Sequence, residues 1–416
     1  TQFYGVDKKP GFDVYIGGMQ DNGTWRSFAN PGPSNGWIFS VGGDGFDVAW
    51  HADGQKIVAS SQFNGIVRTT NGGISWASAT TGLGDTGQAG GGQFITSIAS
   101  TDDDPDLLFT IGQSGVWRST DFAASWQAAT IESDKWGASG SGKVRISLAD
   151  PDVVWAGYRM DSQGRLQVST DRGLTFTAVN NPPGVSGRFS GLATHPADPQ
   201  TAYVLFSQFG LPKIYRTTDL GQTWEDLSGF ENATDGQSTN GFPDVAVYDL
   251  LVMPDNPNVL WAGTEIGLFV SYDNGASWTF EDSFPAVSIW QMRVVDDEIV
   301  MATHGRGVWT VDLAAVPTAV EPVAEAAVPV RFALGVNYPN PFNPSTTISF
   351  DLPRPETVRL TVYDVAGRRV ATLAEGTYPA GTHRVTWEAG GLASGVYLYR
   401  LEAGDFVQTR KMMLVK

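Results

Sequence analysis

An eight-residue pattern recurs five times in this chain of 416 residues, and its spacing limits the fold more than any other feature. The copies are TTNGGISW (69–76), STDFAASW (119–126), STDRGLTF (169–176), TTDLGQTW (217–224) and SYDNGASW (271–278). They begin 50, 50, 48 and 54 residues apart. Because a nearly constant period of this length is typical of stacked supersecondary units, the pattern predicts a repeat architecture.

Each repeat contains four short apolar segments that are typical of β-strands. In one repeat they are FITSIAS (94–100), LLFTIG (107–112), GVWRST (115–120) and SWQAAT (125–130). Four antiparallel strands in one repeat match a blade of a β-propeller. The octamer then lies in the turn between the third and fourth strands. Its Asp and Gly suit a tight turn, and its Trp or Phe is expected to pack between neighbouring blades.

The octamer resembles the motif Ser/Thr-x-Asp-x-Gly-x-Thr-Trp of the Asp-box (BNR-repeat) propellers, which include sortilin-, sialidase- and xyloglucanase-like proteins. The resemblance covers most of residues 1–312 and departs from the motif at three positions, Asn71, Ala123 and Phe176. Units without a complete octamer in 1–28 and 289–312 bring the count to seven. The resemblance therefore implies an all-β fold with a seven-bladed β-propeller, while six or eight blades stay open for a truncated chain. The last unit has three evident strands, so closure would use a strand from elsewhere.

The composition fits this fold and excludes several classes of protein. Gly (49) and Trp (14) are abundant, as expected for many turns and packed aromatic side chains. The absence of Cys excludes disulfides and thiolate metal sites, and no apolar run is long enough to span a membrane. Residues 331–416 carry ten Lys+Arg and seven Asp+Glu, a net charge of +3. The whole chain has a net charge of −17, so residues 1–330 carry −20. This acidic body argues against nucleic acid binding, which needs clustered Lys and Arg.

A stretch rich in Ala, Pro and Val divides the chain. We predict an extended linker over 314–331, between a propeller in 1–313 and a second domain in 332–416. The second domain has alternating segments typical of strands, so it is predicted to be a small Ig-like β-sandwich. These segments are TTISFDL (346–352), VRLTVYDV (358–365), HRVTWEA (383–389), VYLYRLEA (396–403) and VQTRKMMLV (407–415).

The second domain closely resembles the type A C-terminal sorting domain of the type IX secretion system. The matching segments are NYPNPFNPSTTISFDLP (337–353), VYDVAGRRVATL (362–373), PAGTHRVTWEA (379–389), LASGVYLYRLEAG (392–404) and TRKMMLVK (409–416). The resemblance implies export across the outer membrane of a Gram-negative bacterium of the Bacteroidota type, followed by release or surface attachment. Residues 332–416 would bind the secretion machinery. Because Thr1 is not preceded by a signal peptide, we expect a processed chain or a fragment.

Alignment of the repeats gives a column of polar residues at the end of each second strand. Its members are Gln20, Gln62, Gln113, Arg159, Gln208, Glu265 and His304. In Asp-box propellers the octamer turns lie on one face, so this column is expected on the other face, around the central opening. We predict that the column, together with Arg306, binds a ligand. The alternative is that these side chains only solvate the opening.

The resemblance also raises the question of catalysis, because Asp-box propellers include sialidases and xyloglucan endo-glucanases. The Arg-Ile-Pro motif of sialidases is missing from the sequence. A glucanase needs two carboxylates about 5 to 10 Å apart. The candidates are Asp44, Asp244, Asp249 and Glu265. The xyloglucan enzymes hold their acids between two propellers, and this chain has one, so the sequence favours a non-enzyme with a glycoside hydrolase as the alternative.

The sequence predicts no cofactor. The four His residues have no ligand spacing, and the acidic turn TDDDPD (101–106), which has the carboxylates to attract a structural Ca²⁺, lacks the spaced loop of an EF-hand. We therefore expect a secreted or cell-surface propeller that binds a glycan, or an envelope or extracellular protein. The alternatives are a glycoside hydrolase or a fragment of one, and a structural subunit of an extracellular assembly.

Overall fold

The computed structural model of the chain describes residues 2–32, 35–131, 136, 142–160, 163, 165–181, 185–231, 237–317, 329, 331–337, 340 and 342–414. The protein is all-β, as predicted, with short 3-10 helices at Gln62–Asn64 and Leu313–Ala315. It divides into two compact units, Thr1–Ala319 and Val320–Lys416. Most of the predicted linker 314–331 lies outside the described residues, so the predicted segment bounds stay predictions.

The described part of the first unit contains seven sheets, numbered here in chain order. Sheets 1 to 3 each have four antiparallel strands in sequence order. The strands are β1 (Phe3–Lys8), β2 (Tyr15–Met19), β3 (Gly23–Gly32) and β4 (Asn35–Val41) in sheet 1; β5 (Val48–Trp50), β6 (Ile57–Ser61), β7 (Gly65–Thr69) and β8 (Ala77–Ser78) in sheet 2; and β9 (Ile98–Ala99), β10 (Leu108–Ile111), β11 (Val116–Ser119) and β12 (Gln127–Ala128) in sheet 3.

Sheets 4 and 5 each gain a fifth strand that links them to the preceding sheet in the chain. Their strands are β13 (Thr130–Ile131), β14 (Lys143–Ile146), β15 (Val154–Gly157), β16 (Arg159–Met160), β17 (Leu166–Ser169), β18 (Thr175–Ala178), β19 (Gly187–Thr194), β20 (Ala202–Phe206), β21 (Ile214–Thr217) and β22 (Glu225–Asp226). The strand orders are β13-β18-β17-β15-β14 and β16-β19-β20-β21-β22. Because β13 directly follows sheet 3 and β16 lies between two strands of sheet 4 in the chain, each extra strand joins its sheet to the one before.

Sheets 6 and 7 complete the first unit. The strands are β23 (Val247–Val252), β24 (Leu260–Thr264), β25 (Leu268–Ser271) and β26 (Thr279–Phe280) in sheet 6, and β27 (Ser288–Val295), β28 (Glu298–His304) and β29 (Gly307–Asp312) in sheet 7. Sheet 7 has three strands within the described residues, as its sequence indicates.

Neighbouring sheets of the first unit are joined by hydrogen bonds, and sheet 7 is joined to sheet 1. The bonds run from Trp50 N to Asp7 Oδ2 (2.6 Å, sheets 2 and 1), Ile98 N to Asp47 Oδ2 (2.9 Å, 3 and 2), Tyr158 Oη to Gly112 O (2.8 Å, 4 and 3), Arg145 Nε to Leu192 O (3.1 Å, 4 and 5), Ser190 Oγ to Val247 O (5 and 6), Met292 N to Asp249 Oδ2 (2.7 Å, 7 and 6) and Val6 N to Gln291 Oε1 (2.8 Å, 1 and 7). The described sheets therefore follow one another around a closed circle.

The repeated octamer forms the same hydrogen-bonded turn in all five copies, between the last two strands, in chain order, of each of sheets 2 to 6. In sheet 4, Ser169 Oγ donates to Asp171 Oδ1 (2.7 Å) and accepts from Gly173 N (2.9 Å). Asp171 also accepts from Thr175 N (2.9 Å) and Thr175 Oγ1 (2.5 Å). The fifth residue of each octamer has a φ between +61° and +90°, which favours glycine, and Ala123 adopts that conformation in the copy that lacks one.

The aromatic residue that ends each octamer packs against the preceding sheet, as the sequence predicts. Trp126 Nε1 donates to Ala79 O, and Trp278 Nε1 donates to Leu227 O, each at 2.8 Å. Phe176 has no such donor, and it is buried in a core cluster that also contains Phe109 of sheet 3. Each octamer therefore stabilises one turn and one contact between sheets.

Replacing Asp171 with alanine is expected to lower the free energy of unfolding by about 2 kcal/mol, because its hydroxyl and backbone donors lose their acceptor. Burial raises the pKa of this carboxyl, but hydrogen bonds from Thr175 and Ser169 outweigh that effect and lower it to about 2. The carboxylate therefore stabilises the fold above the pKa of unfolded Asp, near 3.9, and this contribution is lost as the pH falls toward 2. Urea unfolding at pH 7 and pH 3 measures both effects, with exposed Asp255 replaced by alanine as the control. An Asp171 effect no larger than the control's would contradict the prediction.

The described part of the second unit contains two sheets that share one hydrophobic core. Its strands are β30 (Ala333–Leu334), β31 (Ser345–Leu352), β32 (Glu356–Tyr363), β33 (Arg369–Tyr378), β34 (Gly381–Glu388), β35 (Gly395–Ala403) and β36 (Phe406–Leu414). The sheets have the orders β30-β31-β34 and β33-β32-β35-β36. Alternation of buried and exposed side chains places Phe350 and Leu352 of one sheet against Leu360 and Leu401 of the other in the shared core. The sequence predicts five of these strands and misses β30 and β33.

Candidate binding site

Seven ring side chains form a continuous row at one end of the first strands. We call this row the aromatic arc; its members are Tyr248, Trp290, His304, Tyr4, Phe46, Phe94 and Phe63. Trp290 is stacked between Tyr248 (centroids 4.2 Å apart) and His304 (4.3 Å), and it lies 4.6 Å from Tyr4. The row continues from Tyr4 to Phe46 (5.2 Å), to Phe94 (5.7 Å) and on to Phe63 (5.6 Å). It therefore passes from sheet 6 through sheets 7 and 1 to sheet 2 and the segment before β9.

β-Bulges in the first strands place three of these rings. The strand pairing skips Tyr4 in β1, Tyr248 in β23 and Trp290 in β27. A bulge leaves its extra residue out of the ladder and redirects that side chain. The same irregularity occurs in β19 at Ser190, which has no ring and donates to the backbone of β23. Tyr4, Tyr248 and Trp290 therefore occupy equivalent positions in their sheets, whereas His304 ends β28 and Phe63 follows β6.

Most rings of the arc are accessible to a ligand. Phe94 is 42% exposed, and only Phe46 is fully buried. The others are half-buried, so each offers part of its surface. Phe63 has a φ of +60°, a left-handed conformation that is unusual for a bulky residue and that is often found at functional sites.

The arc is uncharged at neutral pH but has acidic neighbours. Burial lowers the pKa of His304 to about 4, so its imidazole is neutral. Burial raises the pKa of Tyr4, and the carboxylates of Asp21 and Asp44 raise it further. Burial and then Glu265 raise the pKa of Tyr248 in the same way. Carboxylates therefore border the arc near both of these tyrosines.

Four members of the predicted polar column lie beside or in the arc. His304 is part of it, and Gln20 Oε1 accepts from the Tyr4 hydroxyl at 2.7 Å. Gln62 Oε1 accepts from Asp44 N at 2.8 Å, and Glu265 Oε1 accepts from Ala246 N at 3.0 Å. These side chains bring amide and carboxylate oxygens to the edge of the aromatic surface.

The remaining predicted binding residues lie farther along the circle or have different contacts. Gln113 is exposed after β10, and its N donates to Gly91 O. Arg159 Nη2 lies 3.4 Å from Ser186 Oγ, and the backbone oxygen of Gln208 accepts from Lys213 Nζ. Arg306 is exposed in the β28–β29 turn. Their role in binding stays a prediction.

The four candidate catalytic acids have different surroundings. Asp249 is buried, accepts from Met292 N at 2.7 Å and lies 3.9 Å from Arg145 Nη2. Asp244 forms an ion pair with the buried Lys213 at 2.5 Å. Asp44 and Glu265 border the arc, as described above. Burial raises the pKa of Asp249, which is a property of general acids, but its contacts tie it to the neighbouring strands. The catalytic assignments stay predictions.

The acidic turn at 101–106 has protein partners for two of its carboxylates. Asp104 pairs with Arg172, and Asp106 lies 3.0 Å from Lys56 Nζ. The described residues contain no group of three or more His, Asp or Glu that could hold a metal ion. They also contain no helix with the length and apolarity that a membrane crossing requires.

The aromatic column of the arc is not among the predicted site residues. Those residues come from an alignment of the ends of the second strands. An alignment of the starts of the first strands places Tyr4, Phe46, Tyr248 and Trp290 in one column, each one residue before Gly, Asp or Gln. The signal is therefore present in the sequence, but the repeat pattern assigns most aromatic residues to packing between sheets.

Solved structures with a similar fold are β-propeller-like. The chain is similar to the GH74 xyloglucanase from Xanthomonas campestris (16% identity, TM-score 0.54), covering 90% of this chain and 58% of that one. It is similar to YCF48 from Cyanidioschyzon merolae (13% identity, TM-score 0.52), covering 76% of this chain and 96% of that one. It is also similar to the GH74 enzyme from Niastella koreensis (14% identity, TM-score 0.51), covering 100% of this chain and 73% of that one. At such low identity these similarities show the fold alone. No curated protein is a significant match to the sequence.

The second unit gives a more specific result. Residues 337–416 match the family of secretion system C-terminal sorting domains. The match indicates export by the type IX secretion system and therefore a secreted or cell-surface protein, as the sequence predicts. The sorting domain covers most of the second unit.

Proposed function

We propose that residues 1–313 form a closed, seven-bladed Asp-box propeller that binds a neutral glycan along the aromatic arc, outside the cell. The seven sheets in a closed circle support the blade number, and the shared octamer turn supports the Asp-box assignment. In this proposal residues 332–416 form an Ig-like sandwich that binds the secretion machinery of a Gram-negative bacterium of the Bacteroidota type. Their positive net charge suits an acidic docking surface.

The aromatic arc is the observation that carries the glycan proposal. Binding sites for small and extended ligands are mostly apolar surfaces with a few placed polar groups. Phe94, which is 42% exposed, offers flat apolar area to the face of a sugar ring. Trp290 has Tyr248 and His304 stacked on it, so it offers its edge and holds these two rings in place. The oxygens of Gln20, Gln62 and Glu265 beside them suit hydroxyl groups at the sugar edges.

The charge around the arc favours a neutral ligand. Asp21, Asp44 and Glu265 border the rings, and residues 1–330 carry a net charge of −20. An anionic polysaccharide would approach against this field. A neutral oligosaccharide meets no such penalty, and its hydroxyl groups can donate to the carboxylates.

A glycoside hydrolase is the second candidate function. Asp44 and Glu265 are the two candidate acids that border the arc, so a bound glycan would lie beside both of them. Binding of a protein partner and a structural role in an extracellular assembly stay predictions.

Calorimetric titration of the whole chain with neutral and anionic oligosaccharides tests the proposal. We expect cellohexaose or a xyloglucan heptasaccharide to bind and to change tryptophan fluorescence, and oligogalacturonate to bind at least tenfold more weakly. Measurement of reducing ends in the same samples separates binding from hydrolysis. Binding without new reducing ends supports a binding module, and their appearance supports the hydrolase. Absence of binding by every neutral oligosaccharide would contradict the proposal and favour a protein partner.

A further inference from the structure

A cavity of about 340 Å³ lies inside the circle of sheets, away from the aromatic arc. The arc lies where the first strands begin, whereas the cavity lies around their later residues. Strands β9, β14, β19, β23 and β27 of sheets 3 to 7 line it, and at its mouth are Leu148 (49% exposed) and the exposed Asp102. The cavity therefore opens toward the turns between the first and second strands.

Polar contacts across the circle form the floor of this cavity. Arg293 Nη1 of sheet 7 lies 3.3 Å from Asp7 of sheet 1, and Arg293 Nη2 donates to Ser100 Oγ of sheet 3 at 3.1 Å. Gln291 Nε2 of sheet 7 donates to Asp47 before β5 at 3.3 Å. These contacts cross the interior, so they separate the cavity from the surface that carries the arc.

The cavity combines apolar walls with two guanidinium groups. Leu192, Leu251 and Ile146 belong to the walls. Arg145 and Arg293 both face the interior with about a quarter of each side chain exposed. This composition, mostly apolar with a few convergent polar groups, is typical of small-ligand sites, and the volume is in their usual range.

Arg145 donates its Nε–H to Leu192 O, and Arg293 uses one N–H of each Nη on Asp7 and Ser100, so the remaining N–H groups of the two guanidinium groups are the donors for a ligand. The carboxylate nearest to Arg145 is that of Asp249, at 3.9 Å from Nη2, which is too long for a hydrogen bond. Four further charges bear on the site. Asp102 stands at the exposed mouth, and the buried Asp7 lies behind Arg293. The charge of Lys143 interacts with those of Asp47, Arg145 and Asp249. Inside the cavity the two guanidinium groups therefore lie beside one lining carboxylate, that of Asp249, and Asp102, the acidic group most exposed to solvent, is at the entrance.

We propose that this cavity binds an aliphatic carboxylate, with the carboxylate on Arg145 and Arg293 and the aliphatic group against the leucine-rich walls. Arg binds carboxylates with two parallel donors, which is stronger and more specific than a single contact. The shared chemistry is found in a free N-acylated amino acid and in the C-terminal residue of a peptide. This site is independent of the glycan proposal, because it lies on the other side of the floor.

Ligand-observed NMR and calorimetry with the whole chain test this proposal. The probes are acetyl-Ala-Ala-Leu with a free C-terminal carboxylate, the same peptide as its C-terminal amide, and N-acetyl-leucine. We expect the free acids to bind with a dissociation constant in the millimolar range or below, and the amide to bind at least tenfold more weakly. If the peptide binds more tightly than N-acetyl-leucine, the site is assigned to peptide C-termini. If the two bind equally, the site is assigned to free small carboxylates. Either result supports the carboxylate site.

A matched pair of variants locates the binding. Leu148→Trp fills the mouth and is expected to weaken binding of the free acid at least tenfold. Leu174→Trp changes a leucine of similar exposure (56%) in the turn between β17 and β18, outside the cavity, and is expected to have no effect. Trp290→Ala is expected to leave this binding unchanged. Equal binding of acid and amide, absence of binding by both acids, or equal affinity of the Leu148→Trp and Leu174→Trp variants would overturn the proposal. The acid–amide comparison uses the unaltered protein and does not depend on how a variant folds.

Discussion

Replacing Trp290 with alanine is expected to weaken binding of a neutral oligosaccharide by about 30- to 1000-fold, the range of a central aromatic contact in a binding site. Trp290 is the centre of the aromatic arc, since it stacks on both Tyr248 and His304 and also contacts Tyr4. Its removal deletes the largest ring and also frees its neighbours to move, so the loss should exceed that of a ring at the end of the row. Calorimetric titration with the oligosaccharide that binds the unaltered chain measures the effect.

The control for this variant is Trp309→Ala. Trp309 lies in the same sheet, on β29, is 38% exposed and is not part of the arc. We expect this variant to bind the oligosaccharide as the unaltered chain does. Thermal unfolding of both variants shows whether either change alters the fold. A loss of affinity below threefold for Trp290→Ala, in a protein that unfolds normally, would show that the arc is not the glycan site.

The repeat was predictable from sequence because each octamer encodes a local turn. Its Ser or Thr, its Asp and its Gly bond to one another within five residues, so the pattern and the structure coincide without information from elsewhere in the chain. The strands on either side of each octamer lie within the apolar segments that predict them, but the strands are shorter than those segments. Of the segment 94–100, for example, only Ile98–Ala99 forms a strand. The preceding residues Phe94 and Thr96 instead contact sheet 2.

The candidate site was harder to predict because bulges and contacts between sheets create it. A bulge at Tyr4 or Trp290 depends on the pairing of two strands, and no local pattern marks it.

The missed strand β33 has a related cause. Its sequence RVATLAEGTY alternates poorly between apolar and polar residues, and only Ala374 in it is fully buried. Where side chains face solvent on both sides, the period of two that indicates a strand is weak.

Replacing Asp249 with alanine is expected to lower the free energy of unfolding by about 2 to 4 kcal/mol, one of the larger effects in the first unit. The change orphans Met292 N, which is buried in the contact between sheets 6 and 7, and it removes the carboxylate closest to Arg145. An orphaned buried donor and the loss of one partner of a buried charge pair are both costly. Urea unfolding monitored by tryptophan fluorescence measures the change.

Asp249→Asn separates a structural role of this carboxyl from a catalytic one. The amide oxygen of asparagine can still accept from Met292 N, so this variant is expected to lose less than half as much stability as the alanine variant. If the role of Asp249 is structural, we expect the asparagine variant to bind the oligosaccharide as tightly as the unaltered chain does. We also expect it to release reducing ends to the same extent as the unaltered chain. If the asparagine variant folds normally but no longer releases reducing ends that the unaltered chain does release, Asp249 is a catalytic acid.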